Sequence, residues 1–211
     1  MSIERAPGEK ITLIFDGKKC IHARECVTGA PKTFLANVEG PWLHPDETPV
    51  ERLVEIAHRC PSGAVAYERH DGGPPEAPPP VNIGHVRENG PIALHGDLVL
   101  NGAAIGCRAT LCRCGASKNK PYCDGSHVAA GFTASGEPVS RRIDALASRD
   151  GPLAIAPQKD GPLKVEGNLE LCAGTGRVVE RATQMFLCRC GASKNKPFCD
   201  GAHKAIGFVA D

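Results

Sequence analysis

One stretch of sixteen residues occurs twice. Cys112–His127 reads CRCGASKNKPYCDGSH and Cys188–His203 reads CRCGASKNKPFCDGAH, differing only at Tyr122/Phe198 and Ser126/Ala202. A chain that repeats three cysteines and a histidine at fixed spacing must build the same ligand set twice, on two copies of one small unit. The match continues more weakly on both sides. Gly90-Pro91 followed by HGDLVL (His95 to Leu100) parallels Gly161-Pro162 followed by EGNLEL (Glu166 to Leu171), and AAGF ending at Phe132 parallels AIGF ending at Phe208. The duplicated unit is therefore about 45 to 60 residues long.

The spacing has chemical content. Cys112 and Cys114 are two apart, so in extended chain both thiols point to one side. Cys123 and His127 are four apart, which on a helix places them one turn apart on one face. Asp124 suits an N-cap, which would put the Cys123 thiolate at a helix start where negative charge is favoured. Gly125 leaves room for close backbone approach, and Pro121 pre-sets the turn that brings the second ligand pair over the first. The second copy offers Cys188, Cys190, Pro197, Cys199, Asp200, Gly201 and His203 in the same places. These residue types suit a Cys3His zinc site as well as an iron–sulfur group, although C-x-C is tighter than the usual zinc-knuckle spacing. Arg113 and Arg189 read either as charge compensation or as solvated side chains, and Lys118, Lys120, Lys194 and Lys196 as a solvated loop.

The pattern C-x-C-x2-S-x3-P-x-C-D-G-[S/A]-H, complete in both copies, resembles the CDGSH iron–sulfur (NEET) family. The resemblance implies one 2Fe–2S cluster per motif, with Cys112 and Cys114 on one iron and Cys123 and His127 on the other, more exposed iron. Cys188 and Cys190, then Cys199 and His203, would do the same in the second copy. Two ferric irons, two sulfides and three thiolates carry a formal charge of about −1, against about −2 with four thiolates, so the histidine raises the potential. Imidazole also couples redox state to proton binding near neutral pH. Single-motif members of the family form homodimers. With both halves on one chain, the repeats are expected to pair about a pseudo-twofold axis and the protein to be a monomer.

Composition supports several small units over one large core. Gly (24) and Pro (18) are abundant and aromatics make up only 4% of 211 residues. The net charge of +1 argues against nucleic-acid binding. No apolar run approaches the roughly 20 residues of a membrane span, and the N-terminus shows no secretory signal, so the expected location is cytoplasmic. Eleven cysteines, an odd number, fit metal binding in a reducing compartment better than a disulfide framework. The Pro-dense stretch 71–80 reads as a semi-rigid linker between a domain at residues 1–70 and the repeats at 81–132 and 133–211. In the front domain Ile11 to Phe15 and Ala64 to Glu68 read as strands. Thr48 to Cys60 reads as a helix with Thr48 as N-cap and Leu53, Ile56 and Ala57 on its buried face. In the repeats, DLVLN and NLELC suggest strands, and a helical turn should follow each CDG.

Cys20, Cys26 and Cys60-Pro61 form a third constellation, with Pro41-Trp42 between. Closely spaced cysteines plus a remote Cys-Pro are a ferredoxin habit, and residues 10–70 resemble the divergent single-cluster bacterial ferredoxins. Where a full 4Fe–4S motif wants another cysteine this chain has Ala23. The resemblance thus implies a 3Fe–4S cluster, or a 4Fe–4S cluster whose fourth iron takes His22, water or another ligand. Cys107 and Cys172 do not occupy matching repeat positions and read as small buried residues. His44, His58, His70, His85 and His95 read as surface residues.

The expected fold is α+β: a small ferredoxin-like N-terminal domain plus a β-rich tandem unit with pseudo-twofold symmetry. The expected function is electron transfer through two 2Fe–2S clusters and one 3Fe–4S or 4Fe–4S cluster, with a redox partner protein. Cluster storage or delivery to an apo acceptor is the alternative, and a zinc-binding adaptor a more distant one. No nucleophile elbow, P-loop or dinucleotide fingerprint is present, so no enzymatic activity is expected, and no nucleic-acid or membrane partner.

Overall fold

The computed structural model describes residues 3–210. The chain divides into two compact units, residues 1–77 and 78–211. The second is built mainly of strands with two one-turn helices, and the first mixes three strands with two helices and a 3-10 turn.

The first unit is a three-stranded antiparallel sheet in the order β1 (Ile3–Pro7), β2 (Ile11–Asp16), β3 (Val65–Arg69). β1 was not expected, because IERAP carries two charges and a proline. It survives as an edge strand, where proline costs no ladder bond. Between β2 and β3 come α1 (Glu25–Gly29), a single 3-10 turn at Pro45–Glu47, and α2 (Val50–Arg59). The helix starts two residues later than Thr48, because Pro49 takes the extended N-cap position and Thr48 instead accepts a hydrogen bond from Thr33 Oγ1 at 2.8 Å. Leu53, Ile56 and Ala57 face inward as their spacing requires, packing on Ile11, Leu13, Phe34 and Val65.

The second unit is one six-stranded sheet with a single core drawn from both repeats. Its strands are β4 (Ile83–Val86), β5 (Ile92–Leu100), β6 (Ala103–Leu111), β7 (Pro152–Pro157), β8 (Leu163–Cys172) and β9 (Val178–Leu187). Helices α3 (Ser126–Ala129) and α4 (Ala202–Ala205) are the turns that follow each CDG. Within each copy the strands pair antiparallel, β4 with β5 with β6 and β7 with β8 with β9. Between copies they exchange. β4 lies between the start of β5 and the end of β8, antiparallel to β5 and parallel to β8, with Ile83 opposite both His95 and Glu170. β7 lies in the same way between the start of β8 and the end of β5, with Asp97 opposite Pro152.

The exchange occurs at register shifts that contain Gly96 in β5 and Gly167 in β8. A Cβ on Gly96 would stand 3.0 Å from Asn82 Cγ, and one on Gly167 3.2 Å from Leu153 Cα, so each bulge lets the first strand of its own copy approach closely only because the side chain is missing. Asn82, 1% exposed, is fully used there: its Nδ2 donates to Gly151 O and Asn168 O, and its Oδ1 accepts from Asp97 N. Residues 133–151 form no regular element but run along β9. Arg141 N donates to Val179 O and Arg181 N to Arg142 O, each at 2.7 Å.

Glu170 sits at the crossing, 3% exposed, paired with Arg149 and with Arg181 (Nε–Oε2 3.2 Å). Burial opposes its charge, but the two guanidiniums prevail and hold the carboxyl below its ordinary value of 4.5. A depressed folded-state pKa means a contribution that is complete above that ordinary value and is lost as pH falls through the lower one. Glu170→Gln should therefore destabilise the tandem unit at neutral pH, and the gap to the native chain should close between about pH 5 and pH 3. Urea unfolding at a series of pH values checks this; a gap independent of pH would remove the Glu170 charge from the account.

Candidate metal centres

Each repeat brings its four expected donors together as two pairs. In the first, Cys112 Sγ lies 3.7 Å from Cys114 Sγ, and Cys123 Sγ lies 3.5 Å from His127 Nδ1. In the second, Cys188 and Cys190 are 3.8 Å apart, and Cys199 Sγ is 3.4 Å from His203 Nδ1. Two sulfurs bound tetrahedrally to one metal at about 2.3 Å stand about 3.8 Å apart, so each pair already has the span of two ligands on one metal ion. Among the described residues, no three His, Cys, Asp or Glu side chains converge as a single-ion site.

The pairs are positioned by backbone. β6 ends at Leu111, and its strand pairing continues through a bridge from Leu111 to Tyr122, with Cys112 N donating to Pro121 O and Cys123 N to Thr110 O. This carries Cys123 back beside Cys112. β9 does the same for Cys188 and Cys199 through Leu187 and Phe198. The second donor pair is not made by one helix face as its spacing suggested. Cys123 precedes α3, whose N-cap is Gly125, so a left-handed turn at φ 83° sets the Cys–His separation. Asp124 is not the N-cap either. Its carboxylate ties the loop by accepting from Ser126 N at 3.0 Å and Lys118 N at 2.8 Å, and Asp200 does so for Ala202 N and Lys194 N.

The bond with Cys112 raises the Cys114 thiol and burial raises those of Cys123 and Cys188, while backbone N–H groups act the other way. Backbone N–H groups approach Cys114 Sγ from Ala116 (3.4 Å), Cys123 Sγ from Gly125 (3.5 Å) and Cys199 Sγ from Gly201 (3.4 Å). Around Cys188 burial pushes the thiol up, while the N–H groups of Ser193 and Gly191 oppose it. Around Cys112 the bond from the Cys114 thiol and the N–H groups of Ser117, Gly115 and Cys114 prevail over burial, and the thiol falls to about 6. Such N–H···S bonds stabilise added electron density on a thiolate-bound metal.

The arginines between the paired cysteines are not solvated. Arg113 is 1% and Arg189 0% exposed. Arg113 donates to the carbonyls of Gly90 (2.8 Å), Arg87 (2.5 Å), Ala134 (3.1 Å) and Ser135 (3.1 Å), and Arg189 to those of Gly161 (3.0 Å), Gln158 (2.6 Å) and Ala210 (3.2 Å). They read as polar loop residues in sequence because nothing local announces their acceptors, which lie more than twenty residues away. The lysines divide. Lys118 and Lys194 are exposed, but Lys120 Nζ donates to Ser117 O at 2.5 Å and Lys196 Nζ to Ser193 O at 2.6 Å, so these two are structural.

In the first unit Cys20, Cys26 and Cys60 line one cavity of about 490 Å³ together with Phe15, Trp42 and Asn37. The three thiols feel one another's charge: burial raises Cys20 and Cys26, and proximity to Cys60 raises both further. Phe15 and Trp42 meet edge-to-face at 4.8 Å, and Trp42 Nε1 is fixed by Glu4 Oε2 at 2.7 Å, which gives the cavity a rigid aromatic wall. Ala23 and His22 also line it and are exposed, so the corner that lacks a thiol is the one open to water. Cys107 and Cys172 are buried as small apolar residues. Of the histidines read as surface, His58 bonds the Tyr67 hydroxyl at 2.9 Å and His70 bonds Thr12 Oγ1 at 2.8 Å, so both help close the first unit.

Thiol pairs braced by backbone N–H groups, twice in one unit, with a three-thiol cavity in the other, define an iron–sulfur protein. Comparison with known proteins agrees. The family model described as iron-binding zinc finger, CDGSH type, matches residues 89–128 and 160–204, and the one described as divergent 4Fe-4S mono-cluster matches residues 6–70. The uncharacterized protein YjdI of Escherichia coli (strain K12) is 43% identical over 63 residues, which are 30% of this chain and 80% of that protein. YjdI of Escherichia coli O157:H7 matches to the same extent. The chain belongs to the CDGSH iron-binding family in a two-copy form, with a divergent 4Fe–4S mono-cluster domain in front. No helix among the described residues is long and apolar enough to cross a membrane.

Proposed function

We propose that this protein is a one-electron carrier with two 2Fe–2S clusters and one 3Fe–4S or 4Fe–4S cluster. The observation that carries the reading is the division of each repeat's donors into two metal-spanning pairs, 3.7 and 3.5 Å in the first and 3.8 and 3.4 Å in the second. A binuclear group needs two such pairs, whereas one zinc ion needs four donors around a single point. Cys112, Cys114, Cys123 and His127 would hold one 2Fe–2S group, and Cys188, Cys190, Cys199 and His203 the other. Cys20, Cys26 and Cys60 would hold the cubane-type group, with its unligated corner toward Ala23. Bound there, these groups supply reversible one-electron chemistry.

The residues around each site then have defined work. N–H groups on sulfur and the buried guanidiniums stabilise the extra negative charge of the reduced state. His127 and His203, facing their cysteines through Nδ1, keep Nε2 to carry or release a proton, which couples the electron to pH. The reciprocal strand exchange supports pairing of the repeats about a pseudo-twofold axis within one chain, and hence a monomer with a redox partner protein.

Redox titration of the anaerobically purified chain tests the reading. Cys60→Ser should remove the signal of the cubane-type centre and about three or four irons per chain, leaving the two His-ligated centres and their higher potentials in place. If Cys60→Ser changed nothing in the iron count, or if the 2Fe–2S centres stayed unreduced throughout the physiological range, the carrier reading would be lost. One observation favours cluster delivery to an apo acceptor as the second reading: the histidine of each pair sits on a one-turn helix with exposed apolar residues on or just after it, Val128 in the first at 77% and Ile206, the C-cap of the second, at 54%. An increase in transfer rate to apo-ferredoxin as pH falls would support it.

A further inference from the structure

The Cys-x-Cys loops of the two repeats press on each other. At Gly115 (φ 83°) a Cβ would lie 2.8 Å from the carbonyl carbon of Cys190 and 3.3 Å from its Cα. At Gly191 (φ 80°) it would lie at the same distances from the same atoms of Cys114. The backbone of the second cysteine in each Cys-x-Cys pair is thus seated against a glycine of the opposite copy, with no room for even a methyl group. The lysines repeat the exchange. Lys196 Nζ lies 5.8 Å from the centroid of the Phe132 ring and Lys120 Nζ 5.9 Å from that of Phe208, so each loop is capped by an aromatic ring from the other repeat. Phe132 in turn lies 5.4 Å from the buried Arg113 guanidinium, and Phe208 5.5 Å from that of Arg189.

We propose that each repeat's Cys-x-Cys loop is a positioning element for the other repeat's centre, so that Gly115 and Phe132 hold the site of Cys188 and Cys190, while Gly191 and Phe208 hold the site of Cys112 and Cys114. This rests on the reading that each repeat carries a cluster. A fault made in one repeat should then be felt at the opposite centre. The two sites load and decay as a pair rather than as independent modules on a common sheet.

The test uses the full chain with the first centre removed by Cys123→Ser and His127→Ala, so that the remaining His-ligated cluster belongs to the second repeat. Into this background go Gly115→Ala or Gly125→Ala. Both glycines have φ 83°, but Gly125 has nothing within 4 Å of a built Cβ, so it controls for backbone strain alone. Gly115→Ala should shorten the half-life of the remaining cluster about five-fold or more and shift its electron paramagnetic resonance g-values. Gly125→Ala should change the half-life by less than about two-fold and leave the g-values alone. Phe132→Leu, which strains no backbone, should reproduce the effect at about two-fold and serves if Gly115→Ala does not fold. Loss of the second cluster on removing the first centre alone would also support the coupling. Equal effects of Gly115→Ala and Gly125→Ala, with no change on Phe132→Leu, would overturn it. A native tandem unit without acid-labile sulfide would instead strike at the cluster reading itself.

Discussion

His127→Cys and His203→Cys should each lower the potential of the centre they belong to by on the order of 200 mV, because a fourth thiolate makes the group more negative and harder to reduce. The potential of the native centres should fall as pH rises, by up to about 59 mV per pH unit where one proton is taken up with one electron. The substituted centre should lose that slope. The geometry makes the pair comparison fair. Nδ1 of His127 stands 3.5 Å from Cys123 Sγ and that of His203 stands 3.4 Å from Cys199 Sγ, each on the first turn after a left-handed glycine, so a cysteine thiolate reaches nearly the same point. Potentiometric titration at several pH values, read by visible absorbance, decides it. A pH-independent native potential, unchanged in the two variants, would take histidine out of the ligand set.

Arg113→Ala should destabilise the tandem unit by on the order of 3–5 kcal/mol, which is a large part of the stability of a unit this size. The guanidinium is 1% exposed and is the donor for four carbonyls, those of Gly90, Arg87, Ala134 and Ser135. Its removal leaves these acceptors dry and opens a void beneath Phe132. Burial lowers its pKa to about 10, so it stays charged at neutral pH and the charge itself is part of the design. Arg113→Lys should recover little, since an ammonium cannot reach four acceptors from one plane. Guanidinium chloride unfolding of the full chain, followed by the loss of visible absorbance, measures the change. A midpoint within experimental scatter of the native chain would show that the carbonyls find water and that the arginine is dispensable.

What could be read from sequence and what could not divide along a physical line. The juxtaposition of the donor pairs was legible because thiols and imidazole at C-x-C and C-x3-H spacing, repeated in a second copy, are brought together by short local turns. The buried face of α2 was legible too, since Leu53, Ile56 and Ala57 follow the period of the helix itself. The exchange of β4 and β7 between copies was not, because alternation in DLVL and NLEL fixes which side chains face the core but says nothing about which strand lies alongside. Gly96 and Gly167 were the available clue, placed inside otherwise regular strands at equivalent positions. Arg113 and Arg189 left two readings open in the sequence, and the structure removes the solvated one, because their acceptors are backbone carbonyls from distant loops. Asp124 was misplaced at the helix cap because its carboxylate does something equally local, pinning Lys118 N and Ser126 N around the cysteine between them.

The central claim is that each sixteen-residue copy grips a pair of metals bridged by inorganic sulfide. Counting iron, zinc and acid-labile sulfide per chain in Cys60→Ser protein, purified without oxygen, tests it with the fewest assumptions. The expected result is a red-brown preparation with about four irons, about four sulfides and no zinc, two of each atom for every copy. A colourless preparation with about two zinc ions and no sulfide, from cells with ample iron, would contradict it.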